Sequence, residues 1–358
     1  MPVFAVRTTK SLLCLMALMI FELIVGRTSL FATKLITYYF RGESRLGAWM
    51  DDGVIDLHRA YKEMLREQGL SRAEELALAR VPPQMLEFLR GEESSMDAAR
   101  SAIEWTKAKR LKGQQQGSRG AKLDLKDAGI WFEHSEIRLG PPVPNPPHLL
   151  AVGFNYRSHS AEIKVEIPKS PNIFTKEGRI IGPGEAIEIP DMVTQPDYEG
   201  ELAFVIGKEA RSVDREHAYD YVAGYMTFND ITSRDLQFGV SQYTLGKSVD
   251  TFSVMGPFLV LKDEVPNPHQ LKLTTRLGTE VVQESNTSNM IFTVADLIAY
   301  ISQIMTLPAG TVVTTGTPSG VGYARKPPRF LKAGDMVTVD IERLGSLQNP
   351  VSQRRPEH

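Results

Sequence analysis

A β-rich α+β fold, and not a doubly wound parallel sheet, is what this chain of 358 residues predicts. From residue 148 onward short apolar runs recur at 149–153, 201–207, 222–229, 255–262, 271–284, 310–316 and 335–342, punctuated by Gly, Pro, Asn and Asp. One long helical pattern, at 293–305, interrupts them. No Gly-x-Gly-x-x-Gly and no Walker loop is present, so a nucleotide cofactor is not expected.

The elements follow in order. Residues 1–33 read as a hydrophobic leader: Arg7 and Lys10 precede an apolar stretch, 11–26, that contains Glu22. It is shorter than the roughly 20 residues that span a bilayer. Signal peptide or anchor, organelle leader, and upstream extension from a misassigned start remain open. A non-catalytic extension on a cytoplasmic protein is the expectation, with membrane association through 11–26 as the alternative. Residues 34–112 read as a small α+β unit. Strand-like alternation over 34–57 turns at Asp51-Asp52-Gly53, and a helical pattern over 58–112 breaks at Pro82-Pro83. Residues 113–147 read as a linker, polar and glycine-rich at first and stiffened by the prolines of 141–147. Residues 148–350 form the expected catalytic domain, and 351–358 a polar tail.

Composition excludes several classes. A net charge of −2 offers no footprint for nucleic acid. A single cysteine, Cys14, excludes an intramolecular disulfide framework and a cysteine metal cluster.

The chemistry-bearing residues cluster. Glu199 and Glu201 stand two apart at the mouth of an apolar run, so on a strand both point to one face. Two like charges at a core edge are costly unless a cation neutralises them. With Asp230 at the end of another β-like run, they make an all-oxygen set suited to a hard divalent ion. A solvated strand face is the competing reading of such a pair. His159 and Glu162 are three apart, side by side on a helical turn, where a carboxylate raises imidazole basicity. An exposed helix pair is the alternative there. Arg234, Gln237 and Lys247 follow Asp230 and suit an anionic oxygen substrate, though ordinary surface charge would look the same. Asp235 reads as a helix or surface acid. The glycine-rich turn 314–322 could bring backbone N–H groups to a carboxylate, or be a plain tight turn.

Taken together, Gly153-Phe-Asn-Tyr-Arg-Ser-His-Ser-Ala-Glu162, Asp197-Tyr-Glu-Gly-Glu-Leu202, Asn229-Asp-Ile-Thr-Ser-Arg-Asp-Leu-Gln237, Leu245-Gly-Lys-Ser248 and Thr315-Gly-Thr-Pro-Ser-Gly-Val-Gly322 resemble the fumarylacetoacetate hydrolase superfamily. The resemblance runs from about 148 to 350 and is greatest to the small members with this domain. It implies mixed β-sheets rolled around the site, a homodimer, and Mg²⁺ or Mn²⁺ on Glu199, Glu201 and Asp230. It places His159 and Glu162 on a lid, Arg234, Gln237 and Lys247 around the substrate, and Thr317 against its carboxylate. No match is found for the extra aspartate ligand of the larger fumarylacetoacetases, which argues against a role in tyrosine catabolism.

The expected function is metal-dependent hydrolysis of a C–C bond in 2,4-diketo acids of the acylpyruvate or fumarylpyruvate kind. His159, oriented by Glu162, would activate water, and Lys247 would stabilise the enolate. Oxaloacetate decarboxylation or keto–enol tautomerisation is the alternative, with hydration or isomerisation of related 2-oxo acids beside it. A metal- or oxo-acid-binding module is the non-enzymatic one.

Overall fold

The computed structural model describes residues 33–116 and 124–354. The leader expected at 1–33 lies outside them but for Thr33, as do 117–123 of the expected linker and 355–358 of the tail. Arg41 and Gly42 both take positive φ, 50° and 85°, the turn whose twist suits a two-residue hairpin, and they fold β1 (Lys34–Phe40) onto β2 (Glu43–Met50). The turn at Asp51-Asp52 returns the chain through β3 (Gly53–Asp56). Asp56 then caps α1 (Leu57–Glu67) by accepting from the Arg59 N–H at 2.8 Å. Helices α2 (Ala73–Arg80), α3 (Met85–Arg90) and α4 (Glu92–Gln116) follow. The break between α2 and α3 falls at Pro82-Pro83, where a helix loses its donor and its preceding residue turns extended.

Within 113–147 the chain carries β4 (Trp131–Phe132), paired with β3, and β5 (Arg138–Leu139), paired with β1. Next come β6 (Leu149–Gly153), α5 (Arg157–Glu162), β7 (Asn172–Thr175), β8 (Ile180–Ile181), β9 (Ile187–Ile189) and β10 (Pro196–Asp197). Strands β11 (Gly200–Ile206), β12 (Val222–Asp230) and β13 (Thr232–Ser233) lead to α6 (Arg234–Phe238) and α7 (Thr244–Lys247). The rest is β14 (Ser253–Leu261), β15 (Lys272–Leu277), β16 (Glu280–Asn286), α8 (Val294–Ser302), β17 (Val312–Thr314), β18 (Met336–Ile341) and β19 (Gly345–Gln353).

Among the described residues, the large sheet runs β4-β3-β2-β1-β14-β12-β11-β17-β6-β7, and a second runs β16-β15-β18-β19-β9. Most pairs are antiparallel, but β17–β6, β14–β8 and β19–β9 are parallel, so the sheets are mixed. Hydrogen bonds between β1 and β14 make the N-terminal hairpin part of the large sheet.

The apolar runs without alternation now have a cause. Along β11, Ala203 and Val205 enter one core with Leu57, Phe88 and Ala102 of the N-terminal helices. Leu202, Phe204 and Ile206 enter another, with Leu273, Val339 and Leu297 from the second sheet and α8. A strand covered on both faces has no solvent side to mark with polar residues. This layering carries the ends of β11 and β12 into the interior with their acids.

Candidate active site

Register brings the acids together. Gly200 on β11 pairs with Asn229 on β12, and the Asp230 N–H donates to the Glu199 carbonyl at 2.9 Å. Glu199, Glu201 and Asp230 are all buried, and each offers an oxygen within 4.8 Å of the others'. The solvated-face reading of this pair is excluded by that burial.

Cations answer most of this charge. The Lys247 ammonium lies 2.6 Å from Glu199 and 2.8 Å from Asp230. Arg234 reaches Glu199 at 2.7 Å and Asp197 at 2.9 Å. Lys176, buried, bonds Asp230 and the carbonyl of Lys247, the latter at 2.5 Å. Burial raises the Glu199 pKa, but Lys247 and Arg234 outweigh it and hold the group at about 2. Among the described residues, Glu201 has no cationic side chain in contact and accepts only from the Thr314 hydroxyl and, at 2.8 Å, the Gly316 N–H. Burial, then the charges of Asp230 and Glu199, push its pKa well above the usual carboxylate range. Beside it the Tyr156 hydroxyl is buried with no hydrogen-bond partner among the described residues. Four buried carboxylates thus face three buried cations, and the deficit sits on Glu201. The residues fit a hard divalent cation held by oxygen.

Glu199 and Glu201 line a cavity of about 350 Å³ together with His159, Arg234, Gln237, Lys247 and Thr317. His159, on the short α5, turns Nδ1 toward Glu162 Oε2 at 3.4 Å. The other Glu162 oxygen accepts from the Gly320 N–H at 2.8 Å, which ties α5 to the glycine-rich turn. Gln237 accepts from Arg234 at 3.0 Å, leaving its amide N–H groups for a ligand. The Thr317 hydroxyl donates to the Gly200 carbonyl at 3.0 Å and accepts from Gln283 at 2.8 Å. That hydroxyl proton is committed to the scaffold. Asp235, half-buried at most, accepts from Thr194 and Ser233 and caps local turns.

Sequence reading missed three members of this assembly. Lys176 ends the run Asn172-Ile-Phe-Thr175, and a lysine closing a β-like run was the available signal. Asp197, the first acid of the cluster, accepts from Arg234 and from the N–H groups of Tyr198, Gly322 and Tyr323. Gln283 joins Gly200 to Thr317 across 83 residues of chain, and no local pattern announces such a link.

The fumarylacetoacetate (FAA) hydrolase C-terminal family matches residues 148–352. The mitochondrial oxaloacetate tautomerase of Xenopus laevis is 39% identical over 312 residues, covering 86% of each chain. The oxaloacetate tautomerase YisK of Bacillus subtilis is 37% identical over 306 residues, 84% of this chain and 93% of its own. Among solved structures, the fumarylacetoacetate hydrolase of Exiguobacterium antarcticum superposes with a TM-score of 0.67 at 31% identity, covering 90% of this chain and 100% of that one.

Proposed function

This chain belongs to the fumarylacetoacetate hydrolase family, and from that premise we propose that it is an oxaloacetate keto–enol tautomerase. The relatives' names favour this alternative over the C–C hydrolysis that the sequence put first. The observation that carries the reading is His159, held by Glu162, lining the same cavity as Glu199 and Glu201. Tautomerisation asks for an acid–base group and an anchored oxygen, with no attacking water.

A divalent ion on Glu199, Glu201 and Asp230, Mg²⁺ or Mn²⁺, would supply a Lewis acid for the 2-oxo group. Arg234 and the Gln237 amide bind the substrate carboxylate. An ammonium has three donors, and Lys247 spends two on Glu199 and Asp230. The third is left to donate to the oxygen on which negative charge grows. His159, oriented by Glu162, carries the proton of C3. Toward the keto form, C3 gains a proton and the enol O–H loses one, so atoms and electrons balance.

Decay of the oxaloacetate enol in the ultraviolet tests this. Wild type accelerates it, chelator stops the acceleration and Mg²⁺ restores it. His159→Ala lowers the rate about 10²–10⁴-fold. A non-catalytic binding module would give no acceleration. Cleavage of acetylpyruvate outpacing enol decay would reinstate the hydrolase. The homodimer implied by the family belongs to this proposal, and sedimentation velocity reads it.

A further inference from the structure

The cavity has two unlike linings. Glu199, Glu201, Arg234, Lys247 and Thr317 supply its polar lining, and Phe154, Phe174, Phe238, Tyr243, Val165 and Ile163 an apolar one. The rings are set against one another: Phe174 meets Tyr243 edge-on at 5.6 Å, and Phe238 meets Tyr323 at 5.3 Å. They also cap the cations, with Lys247 5.3 Å over Phe174 and Arg234 4.6 Å over Tyr323. Phe238 and Val165 line the cavity and remain exposed.

Charge tells the same story. The fixed cations lining the cavity, among the described residues, are Arg234 and Lys247, and both are bound to buried carboxylates of the protein. Among the described residues, no further fixed cation lines the cavity beside the aromatic side chains. A four-carbon dicarboxylate has no apolar group to match the aromatic side chains of this lining. A cavity of about 350 Å³ falls in the range that encloses drug-sized molecules.

We propose that the site also tautomerises 2-oxo acids bearing an aromatic group at C3, the arylpyruvates, with the ring seated on the wall of Phe174, Tyr243 and Phe238. This rests on the tautomerase reading and names a second substrate class for it. The step is the same: a C3–H bond breaks, an O–H bond forms on O2, and His159 relays the proton. No oxidant or further reactant is consumed.

Phenylpyruvate is the probe, with oxaloacetate alongside. The wild type accelerates enol–keto exchange of both, and phenylpyruvate raises the melting temperature of the Mg²⁺-loaded protein more than pyruvate does. Phe238→Lys places a cation in this apolar lining and lowers the ratio of kcat/KM for phenylpyruvate over oxaloacetate at least tenfold. Val165→Lys, at the other exposed apolar residue of the lining, moves the ratio the same way. Turnover of oxaloacetate without phenylpyruvate overturns the arylpyruvate proposal alone. Failure on both overturns the tautomerase reading as well. An unchanged ratio in both lysine variants, with phenylpyruvate still a substrate, refutes the wall as the determinant.

Discussion

At the scale of single residues the site is an exercise in charge balance, and Glu201 is where it fails to close. Replacing an uncompensated buried carboxylate by its neutral isostere removes a desolvation cost. Glu201→Gln is therefore expected to match or exceed wild-type stability in urea without divalent ions, while losing the stabilisation that Mg²⁺ gives wild type. A large loss of stability in ion-free buffer would contradict this. Lys176 is the converse case. Lys176→Met leaves Asp230 with Lys247 alone against its like-charged neighbours and should cost up to about 3 kcal/mol in urea titration. Added Mg²⁺ should recover part of that, because the ion replaces the missing charge. Glu199 and Glu201 were legible in the sequence because residues two apart share a strand face, Asp230 because it ends another apolar run, and Lys247 as a cation following it. Lys176 and Gln283 were not, since their partners lie 54 and 83 residues away and only the register of the sheets joins them.

At the scale of elements, a short helix depends on a turn far along the chain. Gly320 has φ +104°, and a Cβ there would meet the Val282 carbonyl at 2.2 Å. Its N–H also holds Glu162, and through Glu162 the tautomer and aim of His159. Gly320→Ala adds strain in a left-handed conformation and shifts that donor. We expect about 2–3 kcal/mol of lost stability, read by thermal unfolding, and a fall in kcat larger than the change in KM. Loss of stability with unaltered kcat would separate the turn from the chemistry.

At the scale of the whole molecule, burial pushes the hydroxyls of Tyr38, Tyr156, Tyr198 and Tyr225 above their ordinary value of 10.0, Tyr198 to about 12. Above pH 10 the unfolded chain sheds these protons while the folded one keeps them. Stability is thus fully present below pH 10 and falls as pH rises past it, by about 1.4 kcal/mol per pH unit for each tyrosine. Urea midpoints at pH 8 and pH 11 would show it, and equal midpoints would refute it. The β-rich class was readable from the recurring apolar runs. Less readable was the pairing of β1 with β14, because two short strands more than two hundred residues apart carry no mutual signature. That pairing has a practical consequence for recombinant work. Expressing only the family-matched segment, 148–352, would bare Leu259 and Val260 of β14 and strip Ala203, Met226 and Met255 of the helices packed on them. An uncovered strand edge beside a greasy face invites self-association, so such a fragment should collect in inclusion bodies while a version starting at Thr33 stays in the supernatant.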